Sequence, residues 1–384
     1  MEVAVPVHVL LPAIESAVRI AEGKCALVVA EESFLVTPCG EGHYVQRLEA
    51  AQGKSRGAIQ VPPDVLKSVG RFLMPFDGEV RVCLRGEELF VERDSCPRAS
   101  FTVTAGIEST CGVLAADLTG GDVLATAPGG PLQALLVQAV PAPTFPTATS
   151  ENAPPTSSAS MALRPGAIEV SGGNEGLACW GVVAAACERD SLSCVLPTGL
   201  VRRAVGVQDI WNGRVRLRLG NMVSMGNQDS FVQWQPMAPP LPSKSLSTVW
   251  EEKASCCAWV DVGLLASRVP PNASPAARLR FEWNCGPPSL SVECHEEPQL
   301  GANPHQVQPR ALSDFVQHGT TPICRGPGTA CVSAAALGSA AEMLRERVCQ
   351  LKIAEAHIVL GSLCGFVAIP TTPALSSHGE QGAT

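Results

Sequence analysis

Few residues in this sequence have the types and the spacing that enzymes use. Gly53-Lys54-Ser55 ends like a phosphate-binding loop, but the glycine that such a loop needs five positions before its last glycine is Leu48. In the stretch 361–365, GSLCG, Leu363 occupies the position of a hydrolase nucleophile. His295-Glu296-Glu297 lacks the second histidine of a zinc-binding helix. We therefore predict no catalytic residue, no metal site, no cofactor and no enzymatic activity.

The cysteines and the charge narrow the class of protein further. The sixteen cysteines are scattered, mostly inside apolar segments, and form no CxxC pair, which favours buried free thiols in a reducing compartment. No run reaches eighteen apolar residues, and the N-terminus has no basic segment before its apolar residues. A net charge of −8 argues against a surface coated by nucleic acid but leaves room for a local basic lining. We expect a cytoplasmic protein without a membrane partner.

The clearest organisation lies in residues 59–101, which read as strand, helix and three strands. Pro62, Pro63 and Asp64 suit the first turn of a helix. An apolar stripe then follows at helical spacing, made of Val65, Leu66, Val69, Phe72 and Leu73. Val80, Val82 and Leu84 alternate with polar residues, which indicates a half-buried strand.

This unit recurs twice without a gap. A shift of 135 residues, which carries Pro62 onto Pro197, superposes residues 194–221 on it. A shift of 271 residues, which carries Val61 onto Val332, superposes residues 330–356. The second shift is almost twice the first, so the period is that of a domain rather than that of a solenoid repeat.

Each copy is preceded by a related half that reads as strand, helix and strands. In the first of these halves, a helix that starts near Leu11 carries the apolar residues Leu11, Ile14 and Val18. The chain then divides into domains 1–122, 123–247 and 248–370 and a polar tail, 371–384, which we expect to be disordered. Residues 141–160, rich in Pro, Ser and Thr, predict a mobile loop inside the second domain, and residues 236–247 predict a linker.

Three domains, each made of two βαβββ halves, resemble the bacterial-type β sliding clamp, the processivity subunit of the replicative DNA polymerase III. The resemblance covers nearly the whole chain and is strongest in the stretches CALVVAEESFLVTP, VPPDVLKSVGRFL and GGNEGLA and in the terminal GFVAIP. The second-domain turn keeps only Gly173 and Leu177 of the family's Thr-Asp-Gly-His-Arg-Leu motif, and the tail is longer. The abundance of Ala, Gly and Pro is typical of a high-GC organism or its phage.

The resemblance implies an α+β clamp fold in which helices line a ring and antiparallel sheets form its outside. It implies a homodimer that encircles double-stranded DNA in a sequence-independent manner and tethers the replicative polymerase. Sliding requires a weak attraction to phosphates and no reading of bases. The cations that would supply this attraction are Arg19, Lys24, Lys67, Arg71, Arg202, Arg203, Arg268, Arg345 and Arg347.

The resemblance also implies a pocket between the second and third domains, into which the polymerase and the clamp loader insert short linear motifs. Small apolar cavities with a few backbone donors suit such peptides. Carried over by position, its walls are Leu163, Gly173, Asn174, Leu177, Pro242, Leu246, Val367, Ile369 and Pro370. The alternative is that Leu177, Val367 and Ile369 are only strand core.

Other interpretations remain open. Lysines and arginines commonly occupy solvated helix faces, and Glu342 and Glu346 weaken the basic character of the last helix. The protein would then be a clamp-like interaction scaffold, or an inhibitor of a host clamp, that does not load onto DNA. A monomeric β-rich binding protein is a third reading.

Overall fold

The structure is a computed structural model. It describes residues 2–29, 32–49, 52–55, 57–85, 88–93, 96–103, 121–140, 158–174, 177–188, 192–237, 249, 252–269, 276–295, 315–317, 319–344, 347–361 and 365–371. The chain forms two compact units. The first comprises Met1–Leu136, Ser160–Glu169 and Val183–Pro239, and the second comprises Val137–Ala159, Val170–Val182 and Pro240–Thr384.

The helices are short and separate longer runs of strand. Their bounds are α1 (Val7–Ile20), α2 (Pro63–Leu73), α3 (Gly129–Ala139), α4 (Thr198–Ala204), α5 (Gln208–Trp211), α6 (Val262–Ala266) and α7 (Ala334–Met343). Among the described residues, no helix is long and apolar enough to cross a membrane.

Two antiparallel sheets belong to the first unit. Their strands are β1 (Glu2–Pro6), β2 (Cys25–Val29), β3 (Ser33–Cys39), β4 (Gly42–Arg47), β5 (Gln52–Ser55), β6 (Gly57–Val61), β7 (Glu79–Arg85), β8 (Glu88–Arg93), β9 (Cys96–Thr102), β10 (Asp122–Pro128), β14 (Ala186–Cys187), β16 (Arg214–Leu219), β17 (Val223–Gly226) and β18 (Ser230–Trp234). The five-stranded sheet has the order β5-β1-β7-β8-β9, and the nine-stranded sheet has the order β14-β10-β16-β17-β18-β4-β3-β2-β6.

The second unit holds two further groups of strands. They are β13 (Leu177–Ala184), which extends beyond this unit at its end, β19 (Cys256–Asp261), β20 (Arg278–Cys285), β21 (Pro288–His295), β22 (Ile323–Cys324), β23 (Gly328–Ser333), β24 (Val348–Ile353), β25 (His357–Gly361) and β26 (Gly365–Pro370). The orders are β13-β26-β25-β24-β19-β22 and β21-β20-β23. The remaining strands are β11 (Ser158–Arg164), β12 (Ala167–Asn174) and β15 (Ser193–Leu196).

The predicted repeat is present in the backbone. Strand β1 pairs with β7, β10 with β16 and β19 with β24, in each case antiparallel. The first residue of the helix after each leading strand donates its amide to the start of the partner strand: Val7 to Gly78, Gly129 to Gly213 and Val262 to Arg347, at 2.8, 2.9 and 2.8 Å. These recurring bonds fix the same strand–helix corner three times. They confirm the repeat, whereas the three domain boundaries stay a prediction.

Matching glycines explain why the first two copies superpose without a gap. Gly78 and Gly213 both have a positive φ, 95° and 71°, which side chains other than glycine's adopt only at a cost. Each closes the turn that leads from the helical segment into β7 or β16. In the second copy, Gly206 falls within the helical segment, and the chain forms α4 and α5 where the first copy has the continuous α2.

The core of the first unit lies where α1 and α2 pack on the sheets. Leu66, Val69 and Leu73 of α2 are buried, together with Leu10 and Ile14 of α1. Burying one such side chain contributes roughly 1.5–3 kcal/mol. In the second unit, the equivalent core is formed by Leu265 of α6, Leu337 of α7 and strand residues including Val260, Phe281 and Leu351.

Several predicted boundaries are wrong. Helix α1 begins at Val7 and not near Leu11, because Pro6 already precedes it in an extended conformation that suits a helix start. Helix α6 ends at Ala266, so Arg268 lies beyond it. The second-domain turn, which the sequence places around Gly173, is strand as far as Asn174. Strand β11 begins at Ser158, inside the predicted loop 141–160.

The elements that were not predicted include β5 and α5, which are four residues long and therefore too short for a periodic pattern. The remainder of the predicted loop, most of the predicted linker and almost all of the tail lie outside the described residues.

Candidate nucleic-acid interface

The predicted cations of α1 and α2 project to solvent. Arg19 is exposed in the last turn of α1, where a positive charge suits the helix C-terminus, and Lys24 is exposed just before β2. Lys67 and Arg71 are exposed on α2, while Leu66 and Val69 on the same helix are buried. Helices α1 and α2 pack against each other, so Arg19, Lys67 and Arg71 are exposed cations of one helix pair, and Lys24 lies just beyond the end of α1.

Lys67 and Arg71 are four residues apart, so their side chains are neighbours on the helix surface. Like charges at this spacing destabilise a helix by about 0.2–0.5 kcal/mol. The apolar face of α2 must offset this cost. A phosphate near both cations would remove the repulsion, which is the arrangement expected of a surface that meets a polyanion.

Helix α4 carries Arg202 and Arg203 in its last turn, both exposed, while Leu200, Val201 and Ala204 are buried. The Arg203 side chain has partners within the protein. Its guanidinium forms an ion pair with the carboxylate of Glu22 and donates a hydrogen bond to the carbonyl of Ile20 at 3.4 Å. It therefore links α4 to the end of α1, and part of its charge is already neutralised.

The second unit offers fewer cations. Arg268 is half-buried after the end of α6. Arg347 is exposed, and its Nε lies 3.0 Å from Oδ2 of Asp261, the residue that caps α6. Hydrogen bonds from the Leu264 amide and then from Arg347 hold the pKa of the Asp261 carboxyl below its usual value. Arg345 lies outside the described residues.

Helices α6 and α7 also carry negative charge. Asp261, Glu342 and Arg347 line a cleft of about 490 Å³ between these two helices, together with Val262 and Leu264. Two carboxylates therefore accompany one guanidinium there. More of the predicted cations are therefore exposed in the first unit, on α1, α2 and α4, than on the described part of the second unit.

The acidic partners of Arg203 and Arg347 were missed in the sequence. Glu22 stands between Arg19 and Lys24, so its proximity to a basic cluster was visible in the sequence. Its pairing with Arg203 was not, because 181 positions separate them and only the fold brings them together. Asp261 could have been recognised as a cap, since it precedes an apolar run.

The predicted pocket residues divide into two groups. Leu163 is buried in the first unit, at 3% exposure. In the second unit, Leu177, Val367 and Ile369 are buried in the sheet core at 3%, 0% and 0%, which agrees with the strand-core alternative. Pro370 is exposed at the end of β26. Pro242, Leu246 and the side chain of Asn174 lie outside the described part of the structure.

Gly173 has a clear local role in the hairpin of β12 and β13. A Cβ at this position would lie 2.3 Å from the carbonyl oxygen of Leu177 and 3.0 Å from Cα of Ala178. A side chain there would force the two strands apart. Glycine at this position is therefore explained by the close approach of the backbones, without any ligand.

The cysteines in the described part of the chain are free thiols, and most of them are buried. Burial raises the pKa of Cys25 and of Cys194 to about 11 and that of Cys179 to about 12, so these groups stay protonated at neutral pH. Among the described residues, no cluster of three or more His, Cys, Asp or Glu could hold a metal ion.

The repeated strand–helix corners and the antiparallel sheets define a DNA clamp fold. Solved structures with this fold include a DNA polymerase III beta subunit from Thermotoga maritima, with a TM-score of 0.71 and 12% identity over 97% of this chain and 99% of that chain. DNA polymerase sliding clamps from Pseudomonas aeruginosa and Caulobacter crescentus give TM-scores of 0.70 and 0.67, with 13% and 14% identity over 97% of this chain and 100% of each of those chains.

No protein-family model matches the chain, and no curated protein matches it significantly. The likeness to the solved structures, at these identities, establishes the fold. It confirms the clamp fold that the sequence predicted.

Proposed function

We propose that this protein is a DNA sliding clamp that encircles duplex DNA and tethers a replicative polymerase for processive synthesis. The observation that carries the proposal is the clamp fold over 97% of the chain, combined with exposed cations on α1, α2 and α4. Point-like cations on helices attract phosphates without reading bases, and sliding needs an attraction of this kind. The proposal assigns no catalysis to the protein.

The proposal includes the finer expectations from the sequence. The chain forms a homodimeric ring with three domains per chain, acts in the cytoplasm and binds the polymerase and the clamp loader through short linear motifs. The motif pocket includes Leu163, Gly173, Asn174, Leu177, Pro242, Leu246, Val367, Ile369 and Pro370. The DNA contacts are Arg19, Lys24, Lys67, Arg71, Arg202, Arg203, Arg268, Arg345 and Arg347. Within this set, we expect Arg203 and Arg347 to contribute least, because each is paired with a carboxylate.

A first experiment measures assembly. Sedimentation equilibrium gives the mass in solution, and negative-stain imaging gives the shape of the particle. We expect about two chains per particle and a ring with a hole wide enough for duplex DNA. A compact single-chain particle at micromolar concentration would contradict the threading mechanism.

A second experiment tests whether DNA binding depends on where the cations lie or only on the net charge. The triple variant Lys67→Gln/Arg71→Gln/Arg202→Gln removes three helix cations. The triple variant Arg214→Gln/Arg216→Gln/Arg218→Gln removes three cations from the polar face of β16 and has the same net charge. Fluorescence anisotropy with a labelled duplex at low salt should show weaker binding for the helix variant alone. Equal losses in the two variants would favour nonspecific attraction.

A second candidate function is a clamp-like interaction scaffold that does not hold DNA. The ion pairs of Arg203 and Arg347, the acid-lined cleft of α6 and α7 and the net charge of −8 favour it. It predicts that the helix variant binds duplex DNA as wild type does, at every salt concentration tested.

A further inference from the structure

Strand β16 presents two arginines on the face of its sheet that is opposite to the core. Val215 and Leu217 are buried, and the alternation of a strand therefore directs Arg216 and Arg218 to the other face. Alternate residues on a strand lie about 6.8 Å apart, so the side chains of Arg216 and Arg218 leave the backbone at that spacing.

A cleft adjoins these arginines. Arg216 is in register with Gly226 on β17, and Gly226 is in register with Phe231 on β18. A Cβ at Gly226 would lie 2.5 Å from Cβ of Phe231, so the ring-bearing residue occupies the space that a side chain would need. The cleft has a volume of about 240 Å³, and Phe34 and Phe231 form its apolar lining.

Arg47, which also lines the cleft, is paired with carboxylates. Nη2 of Arg47 lies 2.6 Å from Oε1 of Glu32, and its Nη1 lies 3.9 Å from Oδ1 of Asp229. Arg216 and Arg218 differ from Arg47. Within the part of the chain that the structure describes, neither guanidinium has a carboxylate or a hydrogen-bond acceptor as its partner.

The positive charges of Arg216 and Arg218 also repel each other. Partial burial, and then the charge of Arg216, lower the pKa of the Arg218 guanidinium. Among the described residues neither guanidinium has an ion-pair partner, and the carboxylate of Glu32, which lines the same cleft, is paired with Arg47. An anion placed between them would relieve the repulsion and would accept bidentate hydrogen bonds.

We propose that Arg216, Arg218 and the adjoining cleft over Phe231 bind an extended acidic peptide segment of a partner protein, with carboxylates at alternate positions. An extended peptide spaces such carboxylates at the same distance of about 6.8 Å as the two arginines. The cleft is smaller than the roughly 300–1,000 Å³ typical of small-molecule sites, so it suits side chains of a peptide better than a nucleotide. The site lies outside the helices of the proposed DNA interface and goes beyond the proposed function.

The probe is a short fluorescein-labelled peptide with glutamates at two alternate positions, titrated with the full chain and followed by fluorescence anisotropy. The variant Arg216→Gln/Arg218→Gln should weaken binding by at least about tenfold, since charge-assisted hydrogen bonds are the strong ones. Arg214→Gln is the matched control. It removes a cation from the same face of β16 that does not line the cleft, and it should leave binding close to that of wild type.

Two further probes make the outcome decisive. A peptide with glutamines in place of both glutamates should not bind, and inorganic phosphate at millimolar concentration should not displace the acidic peptide. Undiminished binding by the double variant, or equal binding of the glutamine peptide, would overturn the proposal. Displacement by phosphate would show a small-anion site and would also overturn it.

The proposed function and the peptide site are contradicted by different experimental results. Duplex binding by Arg216→Gln/Arg218→Gln should equal that of wild type. A loss of DNA binding in this variant would assign the two arginines to DNA and overturn the peptide site. The variant Lys67→Gln/Arg71→Gln/Arg202→Gln tests the other case. If it keeps both its peptide affinity and its DNA binding, the sliding-clamp proposal is overturned and the peptide site is not. Thermal melts monitored by circular dichroism verify that all variants are folded.

Discussion

Asp261 and Arg347 join the two ends of a strand–helix corner: Oδ2 of Asp261 lies 3.0 Å from Nε of Arg347, and Oδ1 of the same carboxylate accepts the amide of Leu264 at 3.0 Å. One side chain thus caps α6 and pairs with the residue whose carbonyl accepts the Val262 amide. The corner is held by a backbone bond and by a carboxylate with two donors.

This geometry predicts a graded response to two substitutions. Asp261→Ala removes the cap and the ion pair, and loss of a cap costs about 1 kcal/mol. Asp261→Asn keeps an oxygen that caps α6 but loses the charge and the oxygen that accepts from Arg347, and since exposed ion pairs are worth about 0.2–1 kcal/mol, its cost should be smaller. Urea unfolding at pH 7 measures both.

The pH dependence of the same variants tests the charge. Because the folded-state pKa of Asp261 is depressed, its stabilisation is present above the pKa of the unfolded chain, about 3.9, and is lost as pH falls through the folded-state pKa. The difference in free energy of unfolding between wild type and Asp261→Asn should therefore shrink below about pH 4. Ser333→Ala, which removes the uncharged cap of α7, is the control and should show no such change. A constant difference for Asp261→Asn down to pH 2 would contradict the mechanism.

The α2 cations should affect DNA binding and stability in opposite directions. Lys67→Gln/Arg71→Gln removes two phosphate contacts, so the slope of log affinity against log salt should fall by about 1.8. The same change removes a like-charge pair four residues apart, so the free energy of unfolding should rise by about 0.2–0.5 kcal/mol. Anisotropy titrations at several salt concentrations and urea unfolding measure the two effects.

Arg203→Gln is the informative comparison for that experiment. In the wild type, the Arg203 guanidinium is paired with Glu22. Its loss should therefore change the slope of log affinity against log salt less than the loss of one α2 cation does, and it should destabilise the junction of α4 with the end of α1. A larger change in slope than that of Lys67→Gln would show that the ion pair opens on DNA.

The periodic parts of the fold could be predicted from the sequence. Features that depend on one contact with a residue distant in the sequence could not. Strand β7 has a clear two-residue period and helix α2 has a clear helical period. The bounds of both were predicted to within a residue or two. The start of α1 was placed too late: Pro6 marks it locally, but the bond from the Val7 amide to Gly78, 71 residues away, leaves no local pattern. The candidate cations could be selected from helix faces. The pairing of Arg203 with Glu22 depends on a contact that no local pattern encodes, and so does the absence of a partner for Arg216 among the described residues.

Two adjacent glycines at the start of α3 should respond in opposite ways to alanine. A Cβ at Gly129 would lie 2.0 Å from the carbonyl oxygen of Trp211, whereas a Cβ at Gly130 would meet nothing within 4 Å. Gly129→Ala must move backbone and should cost at least about 2 kcal/mol, within the range of strongly destabilising substitutions. Gly130→Ala should stabilise the protein by up to about 1 kcal/mol, because alanine is the better helix former. Equal unfolding midpoints for the two variants would show that the corner around Trp211 adapts.

Thiol reactivity should follow burial. The thiolate is the reactive form, and burial raises the pKa of Cys179 to about 12 and those of Cys25 and Cys194 to about 11, whereas Cys285 is exposed. Brief treatment of the folded protein with iodoacetamide at pH 7.5 should label Cys285 well before Cys179, and labelling of Cys179 should require unfolding. Peptide mass spectrometry measures each site, with Cys285→Ser as the control for assignment. Labelling of Cys179 in the folded protein at the rate of Cys285 would mean that β13, which carries Cys179, opens away from β26 on the timescale of the reaction.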